Sequence, residues 1–315
     1  VRRTMKFDRN STTTDVLNGI DLSGKTALVT GASTGLGAET ARVLAACGAD
    51  VTLVARSKAK LSKVANEIQS ETGRLPETAA LELDKPATIR TFAADWLSRH
   101  EKLDILINNA GIMATPLTRT VKGWESQFAT NHLGHFLLTN LLSDVIKAAG
   151  KARIVNLSSA GHQYSTVDLD DPNYQNRDYD ALQAYGQSKT ANIWFTLELA
   201  RRWADCGVTS FAVHPGGIQT ELGRNLEPEM VKRFEQLIKD YPDIWKTVPQ
   251  GAATSCWAAT SPELNGKTGL YLEDCHISEP GGEDVPNGGY APYAYNADGA
   301  KQLWELSNDL LGTEF

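Results

Sequence analysis

The sequence predicts an α/β fold, doubly wound around one central parallel sheet of about seven strands. Three observations carry this. Short aliphatic and β-branched runs recur along the 315 residues. Segments with helical apolar spacing lie between them, and no proline- or glycine-rich linker interrupts the alternation. Strand, helix, strand in steady succession demands right-handed crossovers, hence a parallel sheet with helices on both faces.

The strands come in order as TALVT (26–30), VTLVA (51–55), AALEL (79–83), DILIN (104–108), RIVNL (153–157) and TSFAV (209–213), with KTGLYL (267–272) as a last one. Their apolar continuity is that of strands covered on both faces. Between them, Leu61, Val64, Ala65 and Ile68 recur at helical spacing, as do Ile89, Phe92, Ala93, Trp96 and Leu97, so each helix buries one stripe on the sheet. Residues 1–23 read as a flexible N-terminal arm, and 24–315 as a single domain. Within that domain, about 219–250 read as a lid. About 274–315 read as a tail whose NGGYAPYAY loop precedes a closing helix near 298–311.

Composition narrows the function. A net charge of -7 argues against nucleic acid. No apolar run reaches the roughly 18 residues of a membrane span, and the polar opening lacks a signal-peptide core, so a cytoplasmic protein is expected. Cys47, Cys206, Cys256 and Cys275 are widely spaced, suggesting neither disulfides nor zinc. His132 and His135 have no third ligand in register, so no metal site is expected.

In such a fold, ligands sit beyond the carboxyl ends of the strands, where strand order reverses. After the first strand stands TGASTGLG, with Gly31, Ser33, Thr34, Gly35, Leu36 and Gly37 leading into a helix that Gly48 ends. Glycines there let the backbone approach a pyrophosphate, and the helix N-terminus offers free N–H groups. The second strand ends not on a carboxylate, which would accept from a ribose 2′-hydroxyl, but on Ala55 followed by Arg56. A guanidinium pairs with a 2′-phosphate, so NADP(H) is expected over NAD(H). Asp84 after the third strand can accept from an adenine amino group. Asn109, Ala110 and Gly111 after the fourth form a small-residue turn against which an adenosine ribose can lie.

These motifs, with Asn131 in TNHLGHF, Ser159 in NLSSAG, Tyr185 and Lys189 in YGQSK, and HPGGIQT, stand in the order and approximate spacing of the short-chain dehydrogenase/reductase family. From about residue 20 onward the chain resembles that family, and more narrowly the subgroup containing retinol dehydrogenases and the WW-domain-containing oxidoreductase. The resemblance implies a Rossmann fold that binds a nicotinamide dinucleotide. Two features depart from the subgroup: LDKPATIR is short, and the sequence carries no apolar N-terminal anchor like that of membrane-bound retinol dehydrogenases.

Tyr185 and Lys189 stand at i and i+4, so both project from one helix face. At about 4 Å and an effective dielectric of about 20, the ammonium would favour the phenolate by about 4 kcal/mol, bringing a phenol from about 10 toward 7. Ser159, at the same sheet edge, can donate to a carbonyl oxygen on which negative charge develops. The resemblance implies that Ser159, Tyr185 and Lys189 act together, with Asn131 holding a water that leads protons from lysine to solvent. It assigns Pro215, Gly217, Ile218 and Thr220 to the nicotinamide, and it implies transfer of the pro-S hydride. His162 reads either as lining the substrate or as a loop brace. The 25 residues between Ser159 and Tyr185, rich in aspartate, read as a solvated loop or a pocket wall.

The expected function is therefore NADP(H)-dependent interconversion of a carbonyl and an alcohol. The amphipathic set Met230, Phe234, Leu237, Ile238, Tyr241 and Trp245 suggests a lipophilic substrate. The alternatives are an NADPH-dependent carbon–carbon double-bond reductase and a non-catalytic NADP sensor or scaffold. A homo-oligomer is possible on the helix faces that such enzymes use for dimers.

Overall fold

Leu28 on β1 (Thr26–Thr30) faces one apolar cluster, while its neighbours Ala27 and Val29 face another. That period of two lets one strand serve two helical layers. In the computed structural model, which describes residues 7–226, 228–240, 245–281 and 288–315 without the side chains of 233, 234, 237 and 238, the same logic runs across the sheet.

Going along the chain, α1 (Thr13–Leu17) precedes β1, and α2 (Gly35–Ala46), β2 (Asp50–Ala55), α3 (Lys58–Thr72), β3 (Glu77–Ala80), α4 (Pro86–Leu97) and β4 (Ile105–Asn108) follow it. Next come α5 (Ser126–Phe128), a π-helical turn Ala129–Leu133, α6 (Gly134–Leu141), α7 (Ser143–Ala148), β5 (Arg153–Leu157), α8 (Ala181–Arg202) and β6 (Thr209–His214). The chain then gives β7 (Gly217–Ile218), α9 (Pro228–Asp240), β8 (Trp245–Lys246), α10 (Val248–Thr260), β9 (Leu270–Glu273), β10 (His276–Ile277) and α11 (Ala297–Leu311).

Among the described residues the main sheet has eight strands, ordered β10-β9-β6-β5-β4-β1-β2-β3. All its pairings are parallel except β9 with the two-residue β10, which doubles back antiparallel and accounts for the strand beyond the seven expected. Between β1 and β4 the order reverses, opening the crevice where a ligand sits.

The expected helices form where their spacing placed them. Leu61, Val64, Ala65 and Ile68 are buried on α3, which Ser57 caps by accepting from Lys60 N and Gly73 ends at φ +73°. On α4, Ile89, Phe92, Ala93 and Trp96 are buried, but Leu97 is exposed, lying off that stripe at the helix end. The third strand is Glu77–Ala80 rather than 79–83. As the sheet's edge it needs no apolar run, and Leu81 and Leu83 are buried in the turn that follows. No described helix is long and apolar enough to cross a membrane.

The described part of the N-terminal arm is docked rather than flexible. α1 begins with a reciprocal capping box between Thr12 and Asp15, and Val16, Leu17 and Leu22 join the core beneath α2 and α10. Thr13 donates to Glu39 at 2.5 Å. In the lid region, β7 pairs with β8 and so fixes both ends of the excursion that holds α9. Met230 and Trp245 are half-buried; the side chains of Phe234, Leu237 and Ile238 and the whole of Tyr241 lie outside the described residues. The tail ends in α11, which packs on α8 through Ala300, Leu303 and Trp304.

Candidate active site

The turn from β1 into α2 is built for close approach. Gly31 and Gly35 have φ of +68° and +56°, and a Cβ at Gly37 would lie 2.5 Å from Asn109 Nδ2. Only glycine fits there. Thr34 begins α2 with extended backbone and no side-chain cap, so the first N–H groups point into the crevice. Asn109 serves this turn from β4: its amide donates to Thr30 O at 2.8 Å, while Thr30 Oγ1 accepts from Asn109 N and Ala110 N at 3.0 Å each. Ser33 and Leu36 flank the same turn half-buried. Together the glycine cradle and the uncapped helix fit the pyrophosphate of a dinucleotide.

Arg56 stands exposed just past β2 and makes no ion pair among the described residues. Neighbouring Lys60 instead pairs with Glu221 at 3.1 Å. Asp84 lies half-buried in the turn before α4, without a hydrogen-bond partner among the described residues. Across the crevice, Pro215, Gly217 and Ile218 follow β6, and Thr220 Cγ2 would lie 3.7 Å from a Cβ at Gly35. The expected nicotinamide segment and the glycine turn thus face each other. Thr220 also caps the helical turn after it by accepting from Leu222 N at 3.3 Å.

The residues after β4 and β5 and on α8 come together as the sequence predicted. A Cβ at Gly111 would lie 3.3 Å from Asn131 Oδ1 and 3.5 Å from Lys189 Nζ. A Cβ at Gly161 would lie 2.7 Å from the Tyr185 ring and 3.4 Å from Ser159 Oγ. Two glycines therefore leave the space in which Asn131, Lys189, Tyr185 and Ser159 meet. Asp180 starts α8 by accepting from Leu182 N and Gln183 N, which sets the phase that turns Tyr185 and Lys189 inward.

Asn131, a poor helix former, sits in the π-helical turn, where the Gly134 N–H reaches back to Ala129 O. Its amide accepts from Ile112 N at 2.9 Å and donates to Ile112 O at 3.0 Å and to Ser188 Oγ at 2.9 Å. Ser158 donates to Lys189 O at 2.9 Å, a structural bond distinct from Ser159. Ser159 Oγ accepts from Gly161 N at 3.0 Å, so its own proton remains to be donated.

The electrostatics correct the sequence reading. Burial pushes the Tyr185 phenol up to about 12, against the opposing pull of Ser159. Burial likewise pushes Lys189 down to about 8. Burial thus outweighs the expected pull of the ammonium, whose Nζ donates to Leu157 O at 3.0 Å and stands 5.6 Å from the tyrosine ring centroid.

Three histidines that the sequence left open find structural partners. His135 joins Thr30 Oγ1 at 2.8 Å to Asn131 O at 2.9 Å, and His132 bonds Ser307 at 2.8 Å. His162 is a brace, completely buried between Ser159 O and Ala291 N. The aspartate-rich insertion is braced from within while Asp170, Asp178 and Asp180 stay exposed: Arg119 donates to Asn173 O and Tyr174 O, Arg177 stacks on Tyr174, and Tyr179 donates to Thr115 O.

Sequence reasoning missed two further groups. His214 Nδ1 accepts from Ala160 N at 3.1 Å and from Gly216 N at 3.4 Å, linking the Ser159 loop to the segment after β6. Lys246, nearly buried, pairs with Asp274 and lies directly under Gly216, where a Cβ would meet its side chain at 2.8 Å. The histidine at the head of HPGG was a visible signal; the lysine, 30 residues away in sequence, was not.

Residues 25–231 match the model of the short chain dehydrogenase family. The chain is similar to short-chain dehydrogenase/reductase prx1 of Penicillium roqueforti, 41% identical over 319 aligned positions that cover 96% of this chain and 91% of that one. It is similar to human retinol dehydrogenase 13, 40% identical over 297 positions that cover 93% and 86%. Among solved structures, an uncharacterised protein from Mycobacterium paratuberculosis superposes with a TM-score of 0.74 at 32% identity, covering 95% of this chain and 98% of that one.

Proposed function

The chain belongs to the short-chain dehydrogenase family of oxidoreductases, and from that premise we propose that it interconverts a carbonyl and an alcohol with NADP(H), on a lipophilic substrate. The observation that carries the reading is the convergence of Ser159, Tyr185 and Lys189 around the space left by Gly111 and Gly161. A sensor or scaffold has no need of a buried phenol beside a serine hydroxyl.

The family implies a nicotinamide cofactor, and the glycine turn, the uncapped α2 and the segment 215–220 would hold it. When bound it supplies or accepts a hydride. In the reductive direction Ser159 donates to the substrate oxygen, and Tyr185, protonated at neutral pH because burial holds it so, gives that oxygen its proton. Lys189 would hold the ribose hydroxyls of the bound cofactor and, with Asn131, would return a proton to the phenol through water. Oxidation runs the same path reversed.

NADP(H) over NAD(H) rests on Arg56, an exposed guanidinium where a ribose carboxylate partner would otherwise stand. The lipophilic substrate rests on the relatedness to retinol dehydrogenases and on the apolar positions of α9. A double-bond reductase would use the same tyrosine. The test follows NADPH absorbance with a panel of lipophilic ketones and aldehydes, and includes an enone whose product is identified. Allylic alcohol from the enone supports the proposal; saturated ketone supports the alternative. No oxidation of NADPH with any carbonyl would defeat both.

A further inference from the structure

The loop that carries Ser159 is held by one imidazole that no step above uses. His162 Nδ1 lies 2.7 Å from Ser159 O, which also accepts from the His162 backbone N–H at 3.0 Å. Its Nε2 accepts from Ala291 N at 3.0 Å. With Nε2 accepting, the neutral ring must carry its proton on Nδ1 and donate it to Ser159. Burial keeps the ring neutral by lowering its proton affinity. The His162 carbonyl in turn accepts from Tyr293 Oη at 2.8 Å and Thr190 Oγ1 at 3.2 Å, and Gln163 donates to Gly288 O and Gly289 O. The tail before α11 thereby grips the loop from outside.

We infer that His162 is a positioning residue: by donating Nδ1–H to the Ser159 carbonyl it fixes the serine hydroxyl against Tyr185, and the C-terminal tail supplies the anchor against which it does so. The geometry makes the loop sensitive. Gly161, between the two residues, lies so close to the Tyr185 ring that even a methyl would reach 2.7 Å from it. Ser159 Oγ is oriented by the N–H of that same glycine at 3.0 Å. Freeing the Ser159 carbonyl from the imidazole shifts Gly161 and Oγ together, and a displacement of about 1 Å at a reacting group costs about a hundredfold in rate. The inference rests on the proposed roles of Ser159 and Tyr185.

The His162 ring meets Ser159 O and, at 3.4 Å, Tyr271 Oη through Nδ1, and Ala291 N through Nε2, and two amides separate the two nitrogens. In His162→Asn the side-chain NH2 occupies the place of Nδ1 and keeps the donation to Ser159. In His162→Gln the longer side chain reaches the place of Nε2 and keeps only the bond to Ala291. Both keep a hydrogen-bonding side chain in the buried space, so the comparison does not depend on His162→Ala folding. Three readouts are taken: turnover of the best carbonyl from the panel, NADPH affinity by fluorescence titration, and the melting temperature of each variant without cofactor.

The expected result is that His162→Gln loses kcat by about ten- to a hundredfold and His162→Asn stays within about fivefold of wild type. NADPH affinity should be unchanged in both, and the two melting temperatures should be similar. Equal turnover in the two amides, or the reverse order, overturns the inference and leaves His162 as a tail anchor. Tyr185→Phe assayed in parallel separates the two failures: full turnover there removes the proposed function itself, whereas an inactive Tyr185→Phe with equal amides removes only the role of His162.

Discussion

Lowering the pH from 7 to 5 should bring this chain close to unfolding, and the reason lies around the site. His132, His135 and His214 are buried and hydrogen-bonded to neutral groups, with Lys189 near His135 and Lys246 and Asp274 near His214. Burial pushes them from an ordinary 6.5 down to about 3, 4 and 3. Because their folded values are depressed, the unfolded chain binds protons first as pH falls, so stability is full above about 6.5 and lost below it. At pH 5 each unfolded imidazole is charged while its folded counterpart is neutral, which costs about 2 kcal/mol per group and about 6 kcal/mol for the three. His162, also lowered by burial, adds in the same direction. Glu125, whose carboxyl burial pushes up, takes its proton first in the folded chain and acts in the opposite direction. Against a usual total of about 5–15 kcal/mol, the loss is large. Urea unfolding followed by tryptophan fluorescence at pH 7, 6 and 5 measures it. His132→Asn should remove about one proton from the slope. A stability that changes by less than about 2 kcal/mol between pH 7 and 5 would refute the account of these histidines as buried and neutral.

Other outcomes follow from the same geometry. Gly37→Ala should weaken NADPH at least about tenfold, read by fluorescence titration, because the new methyl meets Asn109 Nδ2 at 2.5 Å and spreads the glycine turn. Arg56→Ala should raise the KM for NADPH about tenfold or more and leave that for NADH unchanged, since only the 2′-phosphate loses a charged partner. NADPH affinity should fall as pH rises past about 8, where the buried Lys189 loses its proton, and that fall should be absent from Lys189→Met. Gly161→Ala should lower kcat while leaving NADPH affinity intact, because its methyl displaces the Tyr185 ring rather than the dinucleotide cradle.

Much of the fold was legible because parallel strands covered on both faces must be apolar throughout, as in TALVT and RIVNL. β3 was misplaced for the converse reason: an edge strand satisfies its backbone without apolar side chains, and the leucines that looked like strand belong to the next turn. The arm looked flexible because a five-residue helix carries little periodicity, although its capping box, Thr12 to Asp15, could have been read. Residues expected at strand ends could be placed in one crevice because the ends of parallel strands gather at one edge. What escaped was the support from distant sequence, such as Ala291 on His162 and Asp274 on Lys246. The lysine–tyrosine charge effect was overestimated because helical spacing sets which face two side chains share, not how far burial suppresses their charges.

In the proposed reaction Tyr185 gives the proton, Ser159 donates to the substrate oxygen and Lys189 helps return the proton to the phenol. Turnover and NADPH binding by Tyr185→Phe test it most directly, since the substitution removes one oxygen from a buried ring and leaves its packing. The account predicts NADPH affinity within about twofold of wild type and a kcat for carbonyl reduction lower by about a thousandfold or more. A variant that binds NADPH and turns over at a near-normal rate would contradict it.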